Sequence, residues 1–325
     1  MSFLKHISVY LPEVEISNKL ISQNFPEWDS DKIISKIGVK NRYITQKDEF
    51  VSDIAVKAIN KLINEYDIEK SAIDYLIICT QSPDYFLPTT ACIVQDIVGL
   101  NKNCGAIDIN QGCSGYIYGL SLADALVSTG NFNNIILVTA ETYSKYIHKD
   151  DKGNISIFGD AATATLISNT GEYKIGKFSL GTDGSGYKNL IVKNGATKSK
   201  NTLEQDNLDN YLYMNGSAIF DFTAKNIPPL VKKNAALNGY SSFEDLDLFV
   251  FHQANAFMLD FLRKRIGISP EKFLIEMENY GNTVSSSIPL AFKSHIDKSY
   301  KNVMFVGFGV GYSWGAVCIN QISNS

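Results

Sequence analysis

The feature that most constrains the fold is a helix-then-strand unit that occurs in both halves of the 325-residue chain. In each half a helical pattern leads into a short apolar run, at residues 74–79 and at residues 247–252, and the two runs correspond position for position. A helix-opening segment follows each run, at Cys113 and at Asn282. Short apolar runs that alternate with helices are typical of buried strands in a mostly parallel sheet. The sequence therefore predicts an α/β protein built by internal duplication.

Hydrophobic periodicity and turn residues predict the individual elements. We expect the halves to be residues 1–170, which carry the cysteine, and 171–325, which carry the histidine and asparagine, with a polar surface excursion at 193–210. The predicted strands are 7–11, 74–79, 106–109, 135–138, 161–167, 247–252, 303–306 and 313–319. The predicted helices are 29–37, 51–63, 89–98, 113–130 and 221–237, with the last kinked or split at Pro228 and Pro229, and another is predicted to open at Asn282.

Cys113 stands where a β-prone run gives way to a helix with small residues every fourth position. Backbone N–H groups at a helix N-terminus stabilise a thiolate, so this placement predicts a lowered pKa and a nucleophilic sulfur. The alternative is a buried cysteine that only packs, which is common for this residue type. A partner group is needed to decide between the two interpretations.

Composition excludes several classes of function. A net charge of −4 argues against nucleic-acid binding. Five cysteines without framework spacing predict reduced thiols and a cytoplasmic location, and four scattered histidines argue against a metal site. The sequence shows neither a signal peptide nor an apolar run of membrane-spanning length, so we expect a soluble protein that does not associate with membranes.

The duplication supplies partner groups for the cysteine. In doubly wound sheets ligands bind beyond the carboxyl ends of the strands, and Cys113, His252 and Asn282 all fall at such ends. His252 alone fits a structural histidine as well. The run His252-Gln253-Ala254-Asn255, however, places three polar side chains after a buried strand without a turn signal.

The motifs around these residues resemble the β-ketoacyl-[acyl-carrier-protein] synthase III family of the thiolase superfamily over nearly the whole chain. They are the Gly-Cys-Ser-Gly turn at Cys113, His-Gln-Ala-Asn at 252–255, Gly-Asn-Thr at 281–283, Ile-Phe-Gly-Asp-Ala-Ala at 157–162 and Phe-Gly-Val-Gly-Tyr-Ser-Trp-Gly at 308–315, with 38–42 and 181–184 in agreement. The resemblance implies a thiolase-like five-layered α-β-α-β-α fold of two pseudo-equivalent halves. It also implies a homodimer that works with an acyl carrier protein and holds no permanent cofactor.

The resemblance further implies the chemistry. Cys113, His252 and Asn282 match the family's catalytic residues, and the backbone N–H groups of Cys113 and Val310 match its oxyanion hole. An acyl group would pass from acyl-CoA or an acyl-carrier protein to Cys113. Decarboxylative Claisen condensation with malonyl-carrier protein would then give a 3-oxoacyl thioester, for fatty-acid initiation or specialised-metabolite synthesis.

Substrate-binding positions carry over with some departures. The implied substrate-binding residues are Leu87, Phe158, Gly216, Phe220 and Asn255, and the implied carrier-docking residues are Lys36, Lys264 and Arg265. Lys32 and Lys152 stand where well-described members have a tryptophan and an arginine that sandwich adenine, and Phe257 replaces a docking arginine. These departures favour an acyl donor that arrives on a carrier protein.

Other functions were weighed against the condensing enzyme. A synthase III-like acyltransferase could move the acyl group to an amine or alcohol without decarboxylation. A degradative thiolase is disfavoured because the 309–311 turn lacks a second reactive cysteine. A non-enzymatic scaffold is disfavoured because all three catalytic residue types are present.

Overall fold

A computed structural model describes residues 1–198, 207–298 and 300–322. Most strands of this part of the chain belong to one large sheet. The strands are β1 (Phe3–Tyr10), β2 (Val14–Ser17), β3 (Asn41–Ile44), β4 (Tyr75–Cys79), β5 (Gly105–Ile109), β6 (Asn134–Glu141), β7 (Ala161–Ser168), β8 (Tyr173–Thr182), β9 (Leu190–Val192), β10 (Leu212–Met214), β11 (Leu248–Phe251), β12 (Phe273–Leu274), β13 (Asn302–Gly309) and β14 (Ser313–Gln321).

The helices alternate with these strands. They are α1 (Asn18–Asn24), α2 (Ser30–Ile37), α3 (Val51–Tyr66), α4 (Thr90–Val98), α5 (Gly115–Ser128), α6 (Lys152–Ile157), α7 (Gly216–Leu237), α8 (Ala256–Ile266) and α9 (Ser287–Lys293). Side-chain caps fix several of the starts. Asp29, for example, accepts from the Lys32 N–H at 2.9 Å before α2, and Gly38 ends that helix in the left-handed conformation with φ of 81°.

The large sheet shows the predicted duplication. Its strand order is β12-β11-β13-β14-β8-β1-β7-β6-β4-β5. In each half three strands run parallel, β5-β4-β6 or β12-β11-β13, and two antiparallel strands follow them, β7-β1 or β14-β8. The halves join where β1 pairs with β8 through Phe3 and Leu4.

Helices on both faces complete five layers. Helices α3 and α4 pack their apolar stripes on the outer face of the first half-sheet, and α7 and α8 cover the outer face of the second. Helices α5 and α9 lie between the two half-sheets and share one core with apolar side chains from both. The predicted thiolase-like α-β-α-β-α fold is confirmed.

The repeat extends to individual hydrogen bonds. The Asp74 carboxylate accepts from the backbone N–H of Asn133 and Asn134 at 2.6 and 3.0 Å. The Asp247 carboxylate accepts from Lys301 and Asn302 at 2.9 Å each. Each aspartate therefore ties the start of one parallel strand to the start of its neighbour, and the strands of both halves enter the sheet in the same register.

The structure corrects three predicted boundaries. Helix α5 begins at Gly115, two residues after Cys113, and α9 begins at Ser287 rather than at Asn282. Helix α7 is longer than predicted and runs through Pro228 and Pro229 without being split. The fixed φ of proline, about −65°, is compatible with helical backbone. In the excursion at 193–210, residues 199–206 lie outside the described residues. Strands β9 and β10 flank it and pair with each other.

Candidate active site

Cys113 sits in a tight turn against strand β13. It lies between the end of β5 and the start of α5, and only 5% of its surface is exposed. A Cβ added at Gly309 would lie 2.7 Å from the Cys113 Cβ, and one at Gly307 would lie 2.8 Å from the Ser114 Cα. Non-bonded carbon atoms do not approach this closely, so a side chain at either position would clash with the cysteine turn. Glycine at both positions therefore lets β13 of the second half press directly on the cysteine turn of the first.

The thiol is not activated in the way that the sequence predicts. Burial, with a smaller contribution from the nearby Glu141 carboxyl, raises the pKa of Cys113 to about 12. The backbone N–H groups of Cys113 and Val310 act in the opposite direction, but burial is stronger. The predicted lowering of the pKa is therefore wrong.

His252 follows the end of β11 and is 2% exposed. Its backbone N–H donates to the Val306 carbonyl at 2.8 Å, so it continues the pairing of β11 with β13. Its Nδ1 lies 2.8 Å from the Ser287 hydroxyl oxygen. Burial lowers the pKa of His252 to about 3, so the imidazole is neutral near pH 7.

Asn282 is held by its neighbours so that its amide nitrogen is directed to the histidine. Its Oδ1 accepts from the Val284 N–H at 2.9 Å, and its Nδ2 lies 3.5 Å from the His252 Nε2. Its backbone forms an isolated parallel bridge with Phe158, in which the Asn282 N–H donates to the Ile157 carbonyl at 2.8 Å. The Ile-Phe-Gly-Asp-Ala-Ala motif therefore has a structural role, because it positions Asn282.

Strand β13 brings the three groups together. Its Gly309 lies against the Cys113 sulfur, and its Val306 carbonyl binds the His252 backbone. The His252 ring packs edge-on against Phe308 of the same strand, with ring centres 5.6 Å apart. Cys113 therefore packs on Gly309 and His252 on the adjacent Phe308, and the Asn282 Nδ2 lies 3.5 Å from the His252 Nε2.

Sequence reasoning missed a buried carboxyl group at this edge of the sheet. Glu141 ends β6 and accepts from the Gln81 N–H at 3.1 and 3.2 Å and from the Ser82 hydroxyl at 2.8 Å. The Ser285 hydroxyl lies 3.5 Å away. Burial raises the pKa of Glu141 to about 8. The sequence feature that could have identified Glu141 is a carboxylate at the end of an apolar strand.

A cavity of about 830 Å³ opens beside the cysteine. Its inner wall includes Tyr143, Leu190, Leu212 and Val310, and the same residues pack in one cluster with Cys113. Polar side chains also line it, including Gln81, Asn110 and Tyr146. Residues that pack with Cys113 thus form part of the cavity wall, which has a mixed polar and apolar lining.

The predicted substrate-binding residues do not form a single wall. Phe158 is buried and packs in the cluster of Cys113. Leu87 is 82% exposed, and Gly216 opens α7 with free space beside it. Phe220 stacks on Phe257 of α8 with ring centres 5.9 Å apart. Asn255 caps α8 by accepting from the Met258 N–H at 2.8 Å.

The predicted docking residues carry exposed positive charge, partly neutralised. Lys36 lies 5.2 Å from the Trp28 ring centre. On α8, Lys264 pairs with Asp260 at 2.6 Å, whereas the Arg265 guanidinium lies 5.9 Å from the Phe261 ring centre. Near the α6 N-terminus, Lys152 pairs with Glu27 at 2.5 Å.

The described residues provide no group of three or more histidine, cysteine, aspartate or glutamate side chains that could hold a metal ion. In the same part of the chain, no helix combines the length and apolar character needed to cross a bilayer.

Family models match both halves of the chain. The model for 3-oxoacyl-[acyl-carrier-protein] synthase III covers residues 107–184, and the model for its C-terminal part covers residues 238–321. The first match contains Cys113, and the second contains His252 and Asn282.

Named relatives and solved structures agree with these models. The chain is 37% identical to a β-ketoacyl-[acyl-carrier-protein] synthase III of Clostridium perfringens over 96% of both chains. It is 32% identical to one of Lactococcus lactis over 98% of this chain and all of that one. A crystal structure of a 3-oxoacyl-(acyl-carrier-protein) synthase III matches 99% of both chains with a TM-score of 0.93 and 40% identity. The Thermus thermophilus enzyme matches with a TM-score of 0.89 and 32% identity, over 99% of this chain and all of that one. The chain therefore belongs to the 3-oxoacyl-[acyl-carrier-protein] synthase III family and is a condensing acyltransferase of fatty-acid biosynthesis.

Proposed function

We propose that Cys113 is the nucleophile of this condensing enzyme. The supporting observation is that Cys113 packs against Gly309 of β13, next to Phe308, which contacts His252, while Asn282 lies 3.5 Å from His252. In the first step the sulfur attacks the carbonyl carbon of an acyl thioester. The donor's carbon–sulfur bond breaks, and the proton of the Cys113 thiol ends on the released thiol.

The backbone N–H groups of Cys113 and Val310 form the oxyanion hole. Both lower the pKa of the Cys113 thiol, which supports their placement near the carbonyl oxygen of the attached acyl group. Preorganised donors that meet a developing oxyanion commonly lower a barrier by about 3–4 kcal/mol each.

His252 and Asn282 act on the malonyl thioester in the second step. Both donors would meet its carbonyl oxygen as carbon dioxide leaves and negative charge moves onto that oxygen. The resulting carbanion attacks the acyl-cysteine, the bond to sulfur breaks, and one proton from solvent restores the thiol. A neutral imidazole suits this role because it donates a hydrogen bond without losing its proton.

The acyl donor arrives on a carrier protein. Of the two lysines at the adenine-binding positions, Lys152 pairs with Glu27 and Lys32 pairs with Asp29 at 3.1 Å. Neither lysine side chain supplies a ring on which adenine could stack, and the carboxylates paired with the lysines would repel a nucleotide phosphate. Acyl-CoA is the weaker donor on this argument, and malonyl-carrier protein is the second substrate.

The carrier protein docks on the basic residues Lys36, Lys264 and Arg265. A carrier presents its thioester on a flexible arm, and an exposed cationic surface suits an acidic partner. The exposed positions of Lys264 and Arg265 near the α8 C-terminus support this surface.

The enzyme acts as a cytoplasmic homodimer. Strand β5 is at the edge of the sheet, and all its residues are only partly buried. The nearby loop exposes Tyr85, Phe86 and Leu87. An open strand edge beside apolar side chains is suited to pairing with a second copy. Within each subunit, we place the boundary of the halves at residues 170/171, between β7 and β8.

Two variants test the assigned roles. The enzyme is incubated with an acyl-carrier protein and then with malonyl-carrier protein, and intact mass and carbon dioxide release are followed. Cys113→Ala should lose acylation, whereas His252→Ala should still acylate but fail to decarboxylate malonyl thioester. Equal loss of acylation in both variants would contradict the division of roles. Acyl transfer to another acceptor without carbon dioxide release would favour the plain acyltransferase instead.

A further inference from the structure

We propose that Gln81 makes the acyl cavity selective for acyl groups that carry a second oxygen, such as hydroxyacyl or oxoacyl groups. This inference rests on the proposed function, because it assigns the wall of the cavity into which the Cys113-bound acyl group would extend. It concerns an oxygen on the carbon chain rather than the thioester carbonyl, which the backbone N–H groups bind.

The backbone of Gln81 is fixed on three sides. Its N–H donates to both oxygens of the buried Glu141, at 3.1 and 3.2 Å. Its carbonyl accepts from the Tyr146 hydroxyl at 3.2 Å. The residue lies two positions after the end of β4, so its position is set by the sheet as well. The side chain therefore projects from a rigid base.

The orientation of the amide is also fixed. The Tyr143 hydroxyl donates to the Gln81 Oε1 at 2.6 Å, and Tyr143 is only 4% exposed. Because the phenol occupies Oε1, the Nε2 group is left with two protons to donate. No described residue accepts a hydrogen bond from this Nε2, and Gln81 and Tyr143 both line the 830 Å³ cavity.

This amide borders the nucleophile. A Cβ added at Gly112, the residue before Cys113, would lie 2.5 Å from the Gln81 Oε1 and 2.5 Å from a methyl carbon of Val310. Gln81 and Val310 therefore contact the same point of the cysteine turn from the cavity side. An acyl chain leaving the Cys113 sulfur would pass this amide.

The Gln81 Nε2 group should favour oxygenated acyl chains over unsubstituted ones, because it needs a hydrogen-bond acceptor. An unsubstituted alkyl chain would displace water from Nε2 and give it no acceptor, which is unfavourable for a polar group in a confined space. A hydroxyl or carbonyl oxygen on the chain would accept that hydrogen bond. Sites that hydrogen-bond a substrate oxygen discriminate against analogues that lack it.

The test compares matched acyl groups on one thiol. N-acetylcysteamine thioesters of butanoate and 3-hydroxybutanoate, and of pentanoate and 4-oxopentanoate, are incubated with the full-length enzyme. Rates of Cys113 acylation are followed by intact mass. We expect the oxygenated member of at least one pair to acylate about tenfold faster. Equal or faster acylation by the unsubstituted members of both pairs would overturn the inference.

Variants separate the amide from the rest of the cavity. Gln81→Leu removes the donor at similar volume and should abolish or reverse the preference, and Gln81→Met should do the same if the leucine variant fails to fold. Tyr143→Phe frees the amide to rotate and should weaken the preference. An unchanged ratio in a folded Gln81 variant would contradict the assignment. If no thioester acylates Cys113, the proposed nucleophile fails, and this inference fails with it.

Discussion

The hydroxyl oxygen of Ser287 lies 2.8 Å from the Nδ1 of His252, at the ring nitrogen opposite the one that faces Asn282. In the structure the serine hydroxyl donates its one proton to the Val284 carbonyl at 2.9 Å. We infer that the hydroxyl turns to Nδ1 when substrate binds, because donation to Nδ1 places the imidazole proton on Nε2. Nε2 and the Asn282 Nδ2 would then both donate to one substrate oxygen. We assign Ser287 as a positioning residue on this basis.

Replacing Ser287 should therefore impair the second step alone. In Ser287→Ala the Nδ1–H tautomer becomes favoured, and we expect malonyl decarboxylation to slow by about 100-fold, the lower end of the range for losing one donor to an oxyanion. Acylation of Cys113 should be unchanged. The conservative variant Ser287→Thr keeps the hydroxyl and should retain most activity. Nitrogen-15 NMR of the His252 ring gives the tautomer directly, and an unaltered tautomer in Ser287→Ala would contradict the assignment.

The reactivity of Cys113 should rise steadily with pH. With the pKa at about 12, the thiolate fraction increases about tenfold per pH unit across the range from 7 to 10. The rate of alkylation by iodoacetamide should increase in proportion. The measurement is peptide mass spectrometry in a Cys92→Ser background, since Cys92 is the exposed cysteine. A plateau near pH 7 would show a lowered pKa and contradict this expectation.

A methyl group at Gly309 should disable the nucleophile. The added Cβ would lie 2.7 Å from the Cys113 Cβ and 3.0 Å from its sulfur, so the turn must shift. Displacement of a reacting atom by about 1 Å can cost about 100-fold in rate. We expect at least this loss of acylation in Gly309→Ala, measured by intact mass. Gly184→Ala is the matched control, because nothing lies within 4 Å of its Cβ, and normal acylation by Gly309→Ala would be inconsistent with the structure.

Glu141 should make the stability of the protein depend on pH. Its folded-state pKa of about 8 lies above the ordinary value of 4.5. Between these values the unfolded chain releases a proton that the folded protein retains, so the free energy of unfolding falls as the pH rises from about 4.5 to about 8. The slope for one such group is at most about 1.4 kcal/mol per pH unit.

The Glu141→Gln variant removes this ionisation. Urea unfolding at several pH values should show the wild-type free energy of unfolding decreasing relative to the variant as the pH rises through this window. Parallel curves would mean that Glu141 titrates normally.

Charge reversal on α8 should weaken carrier docking without affecting chemistry. In Arg265→Glu we expect a severalfold higher KM for malonyl-carrier protein, and the difference should shrink at high salt. Turnover of the small thioester malonyl-N-acetylcysteamine should be unchanged, since it has no docking surface. Lys301→Glu, which lies before β13 and outside the proposed docking residues, serves as the charge-matched control. Equal effects on both substrates would argue against docking at this surface.

Much of the architecture could be predicted because it depends on local patterns. The apolar runs at 74–79 and 247–252 become β4 and β11, which differ from the prediction by only a residue or two. Strand β8 was missed, because its polar and glycine residues alternate with apolar ones and give no continuous apolar run. The start of α9 was missed because Val284 adopts a left-handed φ of 53°, which the sequence does not indicate.

The site was only partly predictable for a different reason. Strand-end position and motif pointed to Cys113, His252 and Asn282. The structure places His252 and Asn282 3.5 Å apart and packs Cys113 against Gly309 of β13. The pKa of Cys113 could not be inferred from the sequence. The effect of a helix N-terminus can be predicted from local sequence, whereas burial of the sulfur and its proximity to Glu141 depend on tertiary packing. The contacts of Gln81 with Tyr143 and of Ser287 with His252 join residues 62 and 35 positions apart. No spacing rule links such pairs.

The pressing of β13 on the cysteine turn has a consequence for how such a site could originate. The sulfur is supplied by one repeat, and the imidazole, the carboxamide and the glycine strand beneath them by the other. A lone ancestral repeat would thus have lacked a complete set of reacting groups and would have needed to pair with a sister molecule. Fusion into one polypeptide would allow each copy to specialise, one for covalent capture and one for charge stabilisation.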